Sequence, residues 1–181
     1  MISQKHSRAI EALTQVFEAN IYRKKEIIVD VEQIHRDFFY IRKGVARIFY
    51  YDEKAVDHTH WISSDDHFIG LFSSILSAKP VPFGIEVIED NCEIFRLPYQ
   101  KVLELKSKNS EIQQLMEDLF AESLITMGGR LIDRQIKSTD QRYHDFVVSH
   151  ADLLQRINLG YIAGYLGMTQ QQLSKIRAQR L

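Results

Sequence analysis

The sequence contains very little cysteine and proline, and it has no long apolar run. Its single cysteine, Cys92, excludes a disulfide within the chain and any cysteine-ligated iron–sulfur cluster held by one copy. Because Cys92 lies in an apolar alternation, we expect a buried structural thiol. No apolar stretch reaches the roughly 20 residues of a membrane-spanning helix, and the first residues do not resemble a signal peptide. With three prolines and no low-complexity segment, the chain is predicted to be ordered, soluble and intracellular, without a membrane partner.

Charge is nearly balanced over the chain but not at its C-terminal end. The 181 residues carry a net charge of −1, and 45% of them are hydrophobic, enough for one large core or two small ones. Residues 158–181 contain three basic residues and no acidic one. A modestly basic end on a neutral body is typical of a specific DNA-binding protein rather than a nucleic-acid coat protein. Because three basic residues attract phosphates only weakly, we expect two copies to bind together.

The C-terminal stretch has the spacing of a helix-turn-helix. Leu159–Leu166 is predicted as a short helix, Gly167-Met168-Thr169 as the turn, and Gln170–Arg180 as a second helix. Ala163 is the small residue required where two helices cross steeply, and Gly167 tolerates the positive φ of a sharp turn. The apolar positions predicted to pack the two helices together are Ile162, Leu166, Met168, Leu173 and Ile176.

The second predicted helix has a capped start and a polar face. Thr169 and Gln172 have the spacing of a capping box. Glutamine can bind adenine through two hydrogen bonds, and lysine or arginine can bind guanine or phosphate. An ordinary helical hairpin within a core is the alternative interpretation. The side chains predicted to contact DNA are Thr169, Gln170, Gln171, Ser174, Lys175, Arg177 and Arg180.

The N-terminal half is predicted to be an antiparallel jelly-roll or cupin-like sandwich preceded by a helix. The helix is expected over Ser7–Ala19, with Ile10, Leu13, Val16 and Phe17 on one face. Short β-rich runs with turn signals between them then follow at near-regular spacing. Since no strand–helix–strand alternation occurs, a parallel nucleotide-binding sheet is not expected, and the class is α+β. The predicted strands are residues 26–31, 37–42, 45–51, 57–62, 83–88 and 92–97.

After Pro98 the sequence becomes helical. A short helix is predicted over Tyr99–Lys106, and a long one, capped by Asn109 or Ser110, continues to about Lys137. Its roughly 27 residues span about 40 Å, which is longer than a small sandwich can cover. Part of its apolar stripe is therefore expected to face a second copy, although packing entirely on its own domain is the alternative. The stripe consists of Ile112, Leu115, Met116, Leu119, Phe120, Ser123, Ile125, Thr126 and Leu131.

Two glycines, Gly128-Gly129, interrupt this long helical pattern. Each costs about 1 kcal/mol in helix propensity. The pair is therefore expected either to kink the helix or to permit close approach of a partner's backbone.

These elements, in this order, resemble the Crp/Fnr family of bacterial transcription regulators over nearly the full chain. The resemblance implies a cyclic-nucleotide-binding-like β-roll over residues 1–108, a dimerisation helix over 109–137 and a helix-turn-helix of winged-helix type over 138–181. It also implies a homodimer on double-stranded DNA, a small effector in the β-roll, and RNA polymerase as a further partner. The segments that carry the resemblance are Phe68-Ile69-Gly70, Ile85–Asp90, Tyr161–Thr169 and Leu173–Arg177.

The sequence departs from the cyclic-nucleotide-binding members of that family. Those members hold the ribose with a Gly-Glu pair and the phosphate with an arginine beside a hydroxyl residue. Here the pair is Gly70-Leu71, and residues 78–84 contain no arginine. A buried cyclic phosphate would lack its compensating partner, so the effector is expected to be an unknown small molecule other than cyclic AMP, with no cofactor. The resemblance places its pocket near Gly70, Leu71, Lys79 and Phe83. Because the sequence ends soon after the motif, the wing is expected to be short or absent.

Three histidines allow a metal-site interpretation. His58 and His60 alternate on a predicted strand and face the same side, and His67 follows a turn later. Imidazoles at this spacing can bind zinc, copper or haem iron. The favoured alternative is a polar strand face carrying neutral imidazoles, so no metal is predicted.

Two other classes of protein compete with the regulator. A cupin-like enzyme would need a metal triad, for which His58, His60 and Glu86 are the available set. No nucleophile elbow, phosphate loop or HExxH motif occurs, so the chain is not expected to be an enzyme and no catalytic residue is predicted. The other alternative is a degenerate sensor that dimerises without binding DNA. The missing wing favours it, whereas the intact turn and polar helix face favour DNA binding.

Overall fold

Eight strands form two antiparallel four-stranded sheets that pack into a β-roll. The structure is a computed structural model and describes residues 2–179. Strands that are distant in sequence pair in each sheet, as in Ala19 opposite Phe95, so the chain passes repeatedly between the sheets. This confirms the predicted α+β class with an antiparallel roll. In the order of pairing, one sheet contains β1 (Ala19–Tyr22), β8 (Cys92–Pro98), β3 (Asp37–Lys43) and β6 (His67–Ile69), and the other contains β2 (Ile27–Val29), β7 (Gly84–Val87), β4 (Ala46–Tyr51) and β5 (Asp57–Ser63).

All six predicted strands occur, with small differences at their ends, but two further strands were not predicted. β1 and β6 contain only four and three residues, too few to show an alternating pattern. The predicted helix over Ser7–Ala19 was too long, because Ala19 already belongs to β1 and α2 covers Ser7–Val16. Val16 is 53% exposed, so its assignment to the buried face was wrong. Cys92 is fully buried within the roll, as predicted.

The long helix α5 (Ser110–Ile136) packs on its own domain over its first half only. Asn109 caps it, and its side-chain oxygen accepts hydrogen bonds from the backbone N–H groups of Glu111 and Ile112 at 2.9 and 3.3 Å. Ile112, Leu115, Met116 and Leu119 are buried in a cluster with residues of the roll and α2. From Leu124 onward the large apolar side chains are exposed: Leu124, Ile125, Met127, Leu131, Ile132 and Ile136.

The helix continues without a break through Gly128-Gly129, and the space beside both glycines is open. The remaining helices of the N-terminal part are short and flank the roll. Within residues 2–179, no helix combines the length and the hydropathy that a bilayer span requires. The short helices are α1 (Ile2–Lys5), α3 (Phe72–Ser77) and α4 (Tyr99–Lys106).

Four helices after α5 enclose a second, smaller core. Ser138 caps the first of them through a capping box with Gln141, a signal that the sequence contains but that was not used. Tyr143 and Phe146 are buried there together with the predicted apolar positions of the helix-turn-helix. Val45 and Ile88 of the roll complete this core, so the C-terminal helices and the roll are in direct contact. The four helices are α6 (Thr139–Ser149), α7 (Leu153–Arg156), α8 (Leu159–Leu166) and α9 (Gln170–Ala178).

Candidate nucleic-acid interface

Helices α8 and α9 form the predicted helix-turn-helix. Gly167 ends α8 in the left-handed conformation, with φ 68° and ψ 42°, a backbone geometry that glycine adopts at little cost. The following N–H, that of Met168, donates to the carbonyl of Ala163 at 3.0 Å and fixes the turn. Ala163 is 1% exposed in the core that both helices share, as its predicted crossing position requires. The predicted packing residues are also buried: Ile162, Leu166, Met168, Leu173 and Ile176.

The start of α9 is fixed by the predicted capping box. The Thr169 hydroxyl accepts a hydrogen bond from the Gln172 N–H at 3.1 Å, and the Gln172 side chain accepts one from the Thr169 N–H at 2.8 Å. Asn158 caps α8 in a similar way, through its side-chain oxygen and the Gly160 N–H at 2.7 Å. Both helices therefore begin at defined residues, and the N-terminal ends of helices favour anions.

The predicted DNA-contacting residues within α9 share one exposed face. Leu173 and Ile176 point into the core, while the polar residues of the helix are exposed on the other side. Thr169 is exposed at the N-terminal end of this face. Arg180, which was also predicted to contact DNA, lies outside the described residues. The predicted residues that the helix brings together are Gln170, Gln171, Ser174, Lys175 and Arg177.

Helix α8 lies directly against strand β5 of the roll. A Cβ added to Gly164 would be 3.1 Å from the backbone nitrogen of Thr59, which is closer than most real side-chain contacts. Glycine at this position lets the helix approach the strand closely. The helix-turn-helix is therefore positioned by the roll, and three arginines reinforce the contact.

Arg47 of β4 is the most buried of these arginines, at 3% exposure. Its guanidinium donates to Glu86 at 2.6 Å, to Asp57 at 2.7 Å and to the Thr59 hydroxyl at 3.0 Å. The Tyr161 ring of α8 covers it, with the guanidinium carbon 4.2 Å from the ring centroid. The carboxylates of Glu86 and Asp57 compensate the buried charge of Arg47 and hold its planar guanidinium against the Tyr161 ring. An arginine inside an apolar strand pattern was the sequence signal for this site, and it was not used.

Arg130 of α5 contacts both the roll and α8. It donates to the His60 carbonyl of β5 at 2.9 Å and to the Tyr165 carbonyl of α8 at 2.8 Å. Its guanidinium lies against two rings, 5.1 Å from the Trp61 centroid and 4.0 Å from that of Tyr165. One side chain of the long helix thus links the sheet to the helix-turn-helix.

Arg156 forms the third contact between the C-terminal helices and the roll. Its guanidinium donates to Asp65 at 2.5 Å and to Glu89 at 2.7 Å. Both carboxylates belong to loops of the roll, and they raise the pKa of Arg156 above its usual range. This ion pair is partly exposed, so it adds less than the buried Arg47 cluster.

A cavity of about 300 Å³ lies between the roll, α5 and the C-terminal helices. Of the four residues that the resemblance suggested for the effector pocket, Gly70 lines it. Leu71 is buried at the start of α3, Lys79 is exposed, and Phe83 packs on His60 with 4.9 Å between ring centroids. Leu71, Lys79 and Phe83 are not among the residues that line this cavity. The walls combine aliphatic, aromatic and small polar side chains, including Ile48, Trp61, Ser63, Phe68, Phe72, Ser123 and Tyr165, and they also contain Asp66, Glu122 and three histidines.

The three histidines have separate partners. The ring of His58 stacks on Tyr50, and its Nε2 is 3.0 Å from Asp52. Burial lowers the pKa of His60, and the nearby Arg130 and Arg134 lower it further, which favours a neutral imidazole. His67 hydrogen-bonds through Nδ1 to the Asp65 carbonyl at 2.8 Å. Within residues 2–179, no three His, Cys, Asp or Glu side chains are grouped as a metal site, and Glu86 of the competing enzyme triad is paired with Arg47.

Comparison with solved structures identifies the fold. The chain is similar to FixK2 from Bradyrhizobium japonicum, with a TM-score of 0.75 and 15% identity over 90% of this chain and 83% of that one. It is similar to CLP, the c-di-GMP responsive global regulator of Xanthomonas campestris (TM-score 0.72, 10% identity, 96% and 90% covered). A protein described as a Crp/Fnr family transcriptional regulator from Eubacterium rectale gives a TM-score of 0.64 and 14% identity, with 94% and 81% covered.

The chain thus has the fold of Crp/Fnr regulators, which confirms the resemblance seen in the sequence. CLP and the Eubacterium rectale protein are described as regulators and not as enzymes. No protein-family model matches the sequence, and no curated protein matches it significantly.

Proposed function

We propose that this protein is a homodimeric transcription regulator that binds double-stranded DNA sequence-specifically through α9. The observation that carries the proposal is the exposed polar face of α9 in an intact helix-turn-helix, on a fold shared with Crp/Fnr regulators. Such a helix lies in the major groove, and its N-terminal residues contact base edges. Gln170, Gln171 and Lys175 are therefore assigned to bases, and Arg177 to phosphates. RNA polymerase remains a predicted partner.

Replacing Gln171 by alanine tests this assignment. We expect binding to a selected operator to weaken by about 1–3 kcal/mol, with relaxed preference at one base position, because a two-bond contact to a base edge is lost. Fluorescence anisotropy on operator variants measures both effects. The matched control is Gln113→Ala, which replaces an exposed glutamine in the first turn of α5. If Gln170→Ala, Gln171→Ala and Lys175→Ala all bind the operator as the unsubstituted protein does, α9 does not read DNA, and a dimeric module without DNA binding becomes the better description.

The exposed second half of α5 supports the homodimer. Ile125 and Leu131 are 74% and 61% exposed in a single chain, and they lie among four other exposed large apolar residues of the same helix. A continuous apolar helix face of this kind is usually covered by a partner. Gly128 and Gly129 leave open space within this face, which allows close backbone approach.

Ile125→Asp and Leu131→Asp are expected to convert the dimer into a monomer, because each would bury a carboxylate in an apolar contact. Light scattering at micromolar concentration should change from twice 21.2 kDa to 21.2 kDa. Ile21→Asp is the control, since Ile21 is 65% exposed on β1, away from α5. Leu119 is unsuitable for this test because it is buried in its own domain. A monomeric unsubstituted protein would contradict the homodimer.

The cavity between the roll and α5 supports an uncharged, largely apolar effector. Aliphatic and aromatic side chains form much of its wall, Asp66, Glu122 and three histidines are among its polar residues, and no lysine or arginine is among the described residues that line it. A cyclic phosphate there would have no lysine or arginine as its partner. An effector in this position would touch the roll, the long helix and α8 at the same time, and could shift how the helix-turn-helix is held.

A neutral apolar dye, N-phenyl-1-naphthylamine, tests the cavity because the chain's single tryptophan, Trp61, lies in its wall. Energy transfer from Trp61 should be saturable with a Kd below about 50 µM. Ser123→Phe should weaken it at least tenfold by filling the cavity, whereas the exposed control Ser107→Phe should not. Calorimetry with millimolar cyclic AMP or cyclic GMP should show no saturable binding, and a Kd tighter than about 100 µM would contradict this assignment.

A further inference from the structure

Three arginines surround a groove beside the C-terminal end of α8. The groove has a volume of about 130 Å³ and is lined by Arg130 and Arg134 of α5 and by Arg142 of α6. The two arginines of α5 are one turn apart on the side that faces α8. Around α5, most of the exposed apolar residues lie away from Arg130, and Met127 and Leu131 are the ones nearest to Arg134.

The hydrogen bonds of these arginines are to uncharged groups. Arg130 donates to the backbone carbonyls of β5 and α8 described above, and Arg142 donates to the Leu166 carbonyl at 3.0 Å and the Lys137 carbonyl at 2.9 Å. Arg134 is exposed, and its side chain makes no hydrogen bond within the described part of the chain. Over residues 2–179, none of the three guanidiniums is within ion-pair distance of a carboxylate. The other arginines discussed above, Arg47 and Arg156, both have such partners.

The residues at the groove carry a net positive charge even when the two carboxylates of its lining are included. Asp133 and Asp145 lie at the groove, but both are bound by the ammonium group of Lys137 at 2.9 Å. The three arginines and Lys137 carry four positive charges, and the two carboxylates carry two negative charges, so two positive charges are unbalanced. The partial negative charge at the C-terminal end of α8 offsets only about half a unit. Burial holds the pKa of Arg130 below its usual value, and the nearby Arg134 lowers it further, as expected for a site that lacks an anion.

We propose that this groove binds a small molecule that carries a phosphate monoester, the doubly charged group that a cyclic nucleotide lacks. Arg134 is its principal ligand, and Arg130 and Arg142 contribute their remaining N–H groups. A phosphate monoester carries about −1.5 to −2 charges at neutral pH, which matches the unbalanced charge better than a single carboxylate does. Guanidinium groups bind phosphate oxygens in pairs. The groove is roughly four times the ~30 Å³ of one liquid water, so the phosphate group fits inside and the rest of the molecule lies outside.

A bound phosphate would connect α5, α6 and the turn that follows α8. A Cβ added to Gly167 in that turn would be 2.9 Å from the Arg134 guanidinium, so this side chain already lies across the turn. The anion would therefore fix the helix-turn-helix relative to the long helix. This site shares His150 and Tyr165 with the wall of the larger cavity, and it does not depend on the proposed DNA binding.

Calorimetry of the full chain with inorganic phosphate, at ionic strength held constant with sodium chloride, tests the proposal. We expect saturable binding with a Kd below about 1 mM. Arg134→Gln should raise this Kd at least tenfold, because it removes the most accessible charged donor. Since Arg134 is exposed, the variant should keep its thermal unfolding midpoint. The control is Arg23→Gln, an exposed arginine on the roll, which should bind phosphate unchanged.

Two outcomes would overturn the proposal, and neither requires DNA to be present. One is the absence of saturable heat at phosphate concentrations up to 20 times the expected Kd of about 1 mM. The other is an affinity for phosphate in Arg134→Gln that equals that of the unsubstituted protein. DNA is the other source of phosphate groups, so the salt dependence of operator binding is measured as a second arm. A salt slope reduced by about 1 in Arg134→Gln, together with no binding of free phosphate, would assign Arg134 to the DNA backbone and reject the small-molecule site.

Discussion

Replacing Arg47 by leucine should lower the free energy of unfolding by about 3–5 kcal/mol, the range found when one partner of a buried ion pair is removed. Leucine fills much of the space but leaves the carboxylates of Glu86 and Asp57 without their cation. Glu86 has only 13% of its side chain exposed, so water can compensate it little, whereas Asp57, at 41%, can be resolvated. The loss should therefore fall near the lower end of the range. Urea unfolding followed by circular dichroism measures it.

Two variants distinguish a lost ion pair from lost packing. Arg42→Leu removes the partner of Glu93 at 3.1 Å, but that pair is largely exposed, so the expected cost is below about 1 kcal/mol. The double variant Arg47→Leu, Glu86→Leu should regain much of the stability, because it removes the unpaired carboxylate together with the arginine. If Arg47→Leu is as mild as Arg42→Leu, the buried cluster does not hold α8 against the roll.

The helix-turn-helix was predictable because its signals are local. The capping pair Thr169 and Gln172, the glycine of the turn and the apolar positions of both helices all lie within about twenty residues. Each signal restricts the backbone of its immediate neighbours, so one sequence is enough to read them. The long helix was predictable for the same reason, from Asn109 and the helical period that follows it.

The contacts between the roll and the C-terminal helices were not predictable in this way. β1 exists because Ala19 pairs with Phe95, and four residues without an alternating pattern give no hint of that pairing. Arg47 has partners 10 and 39 residues away, and Arg156 has partners 67 and 91 residues away. The cavity is likewise assembled from strands and helices far apart in the chain. Of the four residues that the family resemblance suggested for a pocket, Gly70 lines this cavity.

Ala163→Leu should abolish specific DNA binding. Ala163 is 1% exposed in the core shared by α8 and α9, so three further heavy atoms have no space unless the two helices move apart. Overpacking of this kind typically costs about 1–3 kcal/mol of stability, but the larger effect is geometric. Gln170, Gln171 and Lys175 must reach base edges simultaneously, and a displaced α9 loses these contacts together. We expect operator affinity to fall at least a hundredfold, or about 2.7 kcal/mol.

Three measurements separate a displaced helix from an unfolded domain. Ala163→Gly should keep operator binding within about fivefold, because it adds no volume and costs only about 1 kcal/mol in helix propensity. Ala151→Leu, in the exposed turn before α7, adds the same atoms away from α9 and the crossing and should bind normally. Energy transfer from Trp61 to the dye should persist in Ala163→Leu, since the wall of the cavity is formed mainly by the roll and α5. Operator binding by Ala163→Leu equal to that of Ala163→Gly would mean that the crossing of α8 and α9 does not position a DNA-reading helix, and the regulator assignment would then fail at its central residue.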